Sequence, residues 1–123
     1  MKIISTDKAP KAVGHYSQAI EHNSMIFCSG QVGIDPKKGR LVEGVEKQTN
    51  QAVKNLENVL MSAGLSLKNI VKTTIFLADI NDYKKVNEVY GSFFSKNKPA
   101  RSTVQVVALP LGASVEIEAI AVK

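Results

Sequence analysis

The hydrophobic pattern of this chain changes period and then changes back, twice, and that alternation limits the folds open to it. From about Glu46 to Ala63 the spacing is helical. Ala52, Val53, Leu56, Val59, Leu60 and Ala63 form one apolar stripe, with Lys54, Asn55, Glu57 and Asn58 opposite. Gly64 suits the left-handed position just past the helix end. Helical spacing returns after Asp79 or Asn81, either of which can cap it. Its stripe is Val86, Tyr90, Phe93 and Phe94, and Pro99 marks its limit. Before, between and after these helices the pattern is that of strands. Ser17 to His22 and Met25 to Val32 flank Asn23-Ser24 as a hairpin, and Asp35-Pro36-Lys37-Lys38-Gly39 is a turn. Ile70 to Leu77 is β-branched and aromatic. Ser102 to Val107 and Ser114 to Val122 read as a second hairpin through Leu109-Pro110-Leu111-Gly112.

Strand pair, helix, strand, helix, strand pair is an α+β order, with a mixed sheet and two helices on one face. The 123 residues show no repeat or linker, so residues 1–123 read as a single domain. Two helices cannot cover both faces of such a sheet. In the last strand Val115, Ile117, Ala119 and Ala121 share one face, and Glu116, Glu118, Ile120 and Val122 the other. Because the second face also carries apolar residues, it is expected to be buried by oligomerisation.

Composition excludes several classes of function. The single cysteine, Cys28, permits no disulfide framework and reads as a small buried hydrophobe. His15 and His22 lack metal-ligand spacing, so no metal site is expected. No apolar run reaches the roughly 18–20 residues of a membrane span, and the first residues lack a signal-peptide core, so the expected location is cytoplasmic. The net charge is +5, yet 14 of the 16 cationic residues are scattered Lys. With only Arg40 and Arg101, no Trp and no stacking platform, the pattern argues for a solvated surface and against nucleic-acid readout. Gly39-Arg40-Leu41-Val42-Glu43-Gly44 has no phosphate-loop spacing.

Few residues remain to carry chemistry. Arg101 opens an apolar strand directly after Pro99-Ala100, and a guanidinium there needs a partner. Either it pairs with Glu116 or Glu118 on the return strand of the hairpin, or it clamps a small carboxylate through two parallel hydrogen bonds. Glu116 and Glu118 sit on one face of an otherwise apolar strand. Either they are solvated, or one is partly withdrawn from water and suited to proton transfer. Tyr16 either packs at a loop base or anchors a ligand, and His15 beside it reads as exposed. Gly30, in Ser29-Gly30-Gln31, suggests a bulge or a close backbone approach. No His–Asp pattern supports Ser29 as a nucleophile, and Asn87 reads as a surface or interface polar group.

Taken together these segments resemble the Rid family, the reactive-intermediate imine deaminases. The likeness runs through Gly14-His15-Tyr16-Ser17-Gln18-Ala19, Ser29-Gly30-Gln31, Asp35-Pro36, Gln48-Thr49 and Val71-Lys72-Thr73-Thr74-Ile75-Phe76. It is strongest at Pro99-Ala100-Arg101-Ser102-Thr103 and Val115-Glu116-Ile117-Glu118-Ala119-Ile120-Ala121. The resemblance implies a chorismate-mutase-like fold, a homotrimer with sites between subunits, and no cofactor. It implies hydrolysis of 2-imino acids, such as 2-iminobutanoate and 2-iminopropanoate, to 2-oxo acids and ammonia, which protects pyridoxal-phosphate enzymes. On this basis Arg101 clamps the substrate carboxylate, Glu116 positions water and moves protons, and Tyr16, Ser29, Gly30, Asn87 and Thr103 line the cleft. His15 stands where many members have proline, and Thr103 where many bacterial members have cysteine. Lys98 is expected to border the cleft, where it bears on substrate preference. Competing expectations are a non-catalytic trimer that binds 2-oxo or 2-imino acids, RNA-directed ribonuclease or translation-inhibitor activity, and chaperone-like holding.

Overall fold

The computed structural model describes residues 1–123. Eight strands and two α-helices run in the order β1 (Lys2–Ile4), β2 (Ala19–His22), β3 (Met25–Val32), β4 (Ile34–Asp35), β5 (Arg40–Leu41), α1 (Val45–Ser62), β6 (Ile70–Leu77), α2 (Tyr83–Phe93), β7 (Ala100–Gln105) and β8 (Val115–Val122). Six strands form one sheet in the order β1-β2-β3-β8-β6-β7, and β4 and β5 form a separate ribbon. The architecture is α+β, as the periodicity implies, with both helices on one face. No helix is long and apolar enough to cross a membrane.

Local chemistry places the elements close to their expected bounds. Asn23 and Ser24 both have positive φ, 50° and 63°, which matches the two-residue turn that best suits the twist of a hairpin. Gly64, at φ 76°, ends α1 in a conformation that costs any other residue more. Asp79 caps a 3₁₀ turn over Ile80–Asp82 by accepting from the Asn81 amide, and α2 follows at once. Val53, Leu56, Val59 and Leu60 of α1, with Val86 of α2, pack on Ile26, Ile75, Leu77, Val115 and Ile117 of the sheet. Each such fully buried side chain contributes about 1.5–3 kcal/mol.

Three expectations need correction. β1 was not anticipated. It is only three residues long and is added at the sheet edge beside β2. Asn55 is not on a solvated face of α1 but fully buried. Its Nδ2 donates to the carbonyls of Val32 and Ile34, at 3.2 and 2.9 Å, and its Oδ1 accepts from Gln51, so it ties the end of β3 to the helix. Most consequential, β7 and β8 do not form a hairpin. β7 pairs in parallel with β6, and β8 lies between β3 and β6, antiparallel to both. The helix between β6 and β7 is a crossover connection, and a crossover returns the chain parallel to where it left.

The register fixes which residues face the helices. Thr73, Ile75 and Leu77 of β6 stand beside Ala119, Ile117 and Val115 of β8, and beside Arg101, Thr103 and Gln105 of β7. Phe76 and Thr74 alternate with them and pair with Glu116 and Glu118 on the opposite face. That opposite face carries an apolar row, Ile3–Ile20–Phe27–Ile120, running across four strands. Ile3 is 64% exposed, Phe27 42% and Val104 44%.

Candidate active site

Strand β7 is an edge strand, and Arg101 projects from it toward α2. Its Nη1 donates to Asn87 Oδ1 at 2.9 Å and its Nη2 to Tyr83 Oη at 2.8 Å. The guanidinium carbon lies 5.0 Å from the centre of the Tyr90 ring and 5.7 Å from that of Tyr83. Tyr83, Asn87 and Tyr90 follow the i, i+4, i+7 spacing of one helix face, which is why a single helix can present all three to one side chain. Beneath them the Tyr90 hydroxyl shares a buried 2.7 Å hydrogen bond with Thr73 Oγ1. Burial raises the Tyr90 pKa, offset in part by that bond and by the Arg101 charge. A cavity of about 260 Å3 opens here, bounded by Asn87, Tyr90, Gly91, Phe94, Lys98, Pro99 and Arg101. Arg101 has no carboxylate partner, and two of its five N–H groups are engaged. The expected alternative of an ion pair with Glu116 or Glu118 does not form, because β6 separates the strands and the side chains leave opposite faces.

A second cluster lies on the other side of the sheet. The β3–β8 register shifts between Cys28 and Gln31, and this bulge contains Ser29 and Gly30. Gly30 is required by proximity. A Cβ there would meet the Glu116 carboxyl carbon at 2.9 Å. Glu116 is half-buried and makes no hydrogen bond or ion pair within the chain. Burial raises its pKa, and the Glu118 charge adds to the shift. Above it opens a cleft of about 550 Å3, bounded among others by Lys11, Tyr16, Gly30, Leu111 and Glu116.

The loop carrying Tyr16 is tied down rather than free. The Ser29 hydroxyl donates to the Ser17 carbonyl at 2.6 Å, and the Ser29 amide to that of Gln18 at 2.9 Å. Gln18 is itself buried. Its Nε2 donates to the carbonyls of Thr6 and Pro10, and its Oε1 accepts from the Thr6 amide. Tyr16 is 52% exposed at the mouth of the cleft. Thr103, on the Arg101 face of β7, has its hydroxyl buried without a hydrogen-bond partner.

The residues singled out in the sequence therefore fall into two groups. Arg101 and Asn87 are brought into contact, with Thr103 two residues along the same face. Tyr16, Gly30 and Glu116 share a cleft, with Ser29 holding the loop behind them. One chain does not bring the two groups together. Sequence reasoning missed Tyr83 and Tyr90 as partners of Arg101, and Leu111, whose φ of 60° sets it at the Glu116 cleft. The helical spacing of Tyr83, Asn87 and Tyr90 was the available signal for the first two. Cys28 is buried and its thiol is pushed up to about 12 by desolvation, so it holds little thiolate at neutral pH. No group of three His, Cys, Asp or Glu side chains lies together to hold a metal.

The family model described as Endoribonuclease L-PSP matches residues 6–123. The chain is 54% identical over 123 residues to a rat protein named 2-iminobutanoate/2-iminopropanoate deaminase, covering 99% of this chain and 90% of that one. Among solved structures, a putative endoribonuclease from Thermotoga maritima superposes with a TM-score of 0.97 at 48% identity, covering 100% of this chain and 98% of that one. The E. coli protein TdcF, solved with bound serine, gives a TM-score of 0.96 at 42% identity, covering 100% and 99%.

Proposed function

This chain belongs to the Rid family, and we propose that it is a 2-iminobutanoate/2-iminopropanoate deaminase that works in a cleft completed by a second copy of itself. The reaction is hydrolysis of a carbon–nitrogen double bond. Water adds to the imine carbon and gives a carbinolamine. The carbon–nitrogen bond then breaks, ammonia leaves, and a 2-oxo acid remains. An imine is already electrophilic, so the enzyme needs to orient it, supply a water and move protons; no covalent nucleophile is required.

The proposed roles are supported by the two half-sites. Arg101 binds the substrate carboxylate through N–H groups left free by Asn87 and Tyr83. Those neutral acceptors aim the guanidinium without cancelling its charge. Glu116 accepts a proton from the attacking water and returns it to the leaving nitrogen. A carboxylate of raised pKa is matched to both steps better than an ordinary one. Tyr16 closes the mouth of the cleft, and Ser29 acts by holding the Tyr16 loop. Gly30 leaves the space that the Glu116 side chain occupies. The buried Thr103 hydroxyl and the backbone beside it belong to the Arg101 half.

The observation that carries the reading is the placement of an uncompensated guanidinium and an unpaired, half-buried carboxylate on opposite faces of one sheet, in a chain so close to a named deaminase. Two copies packed through the apolar face can bring the Glu116 cleft of one against the Arg101 edge of the next. Such a head-to-tail contact closes into a ring, and the chorismate-mutase-like homotrimer implied by the resemblance is the ring we propose. A cytoplasmic location suits a scavenger of imines released by other enzymes.

The test is ammonia and 2-oxo acid release from 2-iminobutanoate generated in situ by an amino-acid oxidase. The wild-type chain accelerates release, and Arg101→Ala does not. Release at the uncatalysed rate with the wild-type protein, or an undiminished rate with folded Arg101→Ala, contradicts the proposal.

A further inference from the structure

We propose that the Arg101 pocket accepts 2-imino acids that carry a second carboxylate, and that Lys98 is the residue selecting them; this rests on the imine-hydrolysis reading above. Two cationic side chains, Arg101 and Lys98, border the pocket, and no carboxylate does. The chain's one ion pair joins Lys123 to Glu21, so neither cation is neutralised by an acidic side chain of its own chain. A substrate with a single carboxylate satisfies Arg101 and leaves Lys98 uncompensated. A dicarboxylic imine answers both charges.

Lys98 is held at the pocket by its neighbours. Pro99 has a fixed φ and restricts the residue before it to extended conformations. On the other side, Asn97 Nδ2 donates to the carbonyls of Leu67 and Ile70, at 2.8 and 3.4 Å. The backbone of Lys98 is therefore fixed on both sides, and only its side chain remains free to meet a ligand.

Room for the second carboxylate comes from Gly91. It lies inside α2, where glycine weakens a helix relative to alanine. No packing demands it, because a Cβ at this position would meet no other atom within 4 Å. Its visible consequence is open space in the wall of the Arg101 pocket.

The experiment compares kcat/KM for the imine of glutamate with that for 2-iminobutanoate in wild type, Lys98→Met and Lys98→Arg. The ratio falls about fivefold in Lys98→Met, equivalent to about 1 kcal/mol at 1.4 kcal/mol per tenfold, as befits a partly exposed ion pair. The change lies in KM rather than kcat, shrinks with added salt, and is reversed in Lys98→Arg. A ratio equal in all three proteins makes Lys98 a solvated side chain and overturns the inference. Calorimetric binding of 2-oxoglutarate against 2-oxobutanoate reads the same ratio without turnover. If the wild type hydrolyses no imine, the deaminase reading fails, and the binding ratio still decides whether Lys98 selects a second carboxylate.

Discussion

Arg101 and Glu116 carry the account at the scale of single residues, and each makes a separate prediction. Arg101→Lys keeps the charge but loses the planar fork. With charged hydrogen bonds worth about 1.5–3 kcal/mol, kcat/KM should fall roughly ten- to a hundredfold, mainly through KM. Glu116 is protonated more readily folded than unfolded, because burial and Glu118 oppose its charge. Its contribution to stability is therefore present at low pH and lost as pH rises through its raised pKa. Two results follow. Glu116→Gln should abolish turnover while leaving the thermal midpoint at pH 7 equal or higher. Glu118→Gln should lower the Glu116 pKa, so the acid limb of the kcat profile moves to lower pH; an unmoved limb dissociates Glu116 from the titration. Arg101 and Glu116 were legible as candidates, since each is a charge in an apolar strand. Their separation was not. It depends on β6 lying between their strands, and side-chain parity across a sheet follows from pairing that no local pattern encodes.

At the scale of elements, α2 is the part that builds the Arg101 pocket. Its second row of contacts is the buried Tyr90–Thr73 hydrogen bond. Tyr90→Phe leaves the Thr73 hydroxyl buried without a partner and should cost about 1–3 kcal/mol in chemical denaturation. Combining it with Thr73→Val should recover much of that loss, because both polar groups then leave together. A double variant as unstable as the sum of the singles contradicts this coupling. Both helices, β3, β6 and β8 stand close to where periodicity puts them, because a long apolar stripe specifies its own element. The edges read less well. β1 is too short to show alternation, and Asn55 looks solvated because its partners Val32 and Ile34 belong to two other elements, β3 and β4. The misread hairpin has the same origin. The loop between β7 and β8 is compatible with a hairpin, but the crossover through α2 had already set β7 beside β6 on its outer side.

At the scale of the whole molecule, the sheet has one face covered by helices and one apolar face that the chain leaves open at Ile3, Phe27 and Val104. The net charge of +5 is spread mostly over lysines and suits solubility, while Arg101 is the charge proposed to hold the substrate carboxylate. In the proposed assembly the open face packs against the next copy, and each site takes Arg101 from one chain and Glu116 from its neighbour. A charge placed in the apolar row, such as Phe27→Glu, should therefore dissociate the assembly in sedimentation and remove activity together; a monomer with full activity contradicts a shared site. The most direct test mixes two inactive proteins. Arg101→Ala and Glu116→Gln are unfolded together in equal amounts, refolded, and assayed for 2-iminobutanoate hydrolysis. If each site draws its two residues from different chains of a ring, random assembly regenerates about one quarter of the wild-type sites. Activity near that level is the predicted result, and activity no greater than that of either variant alone would contradict a site shared between chains.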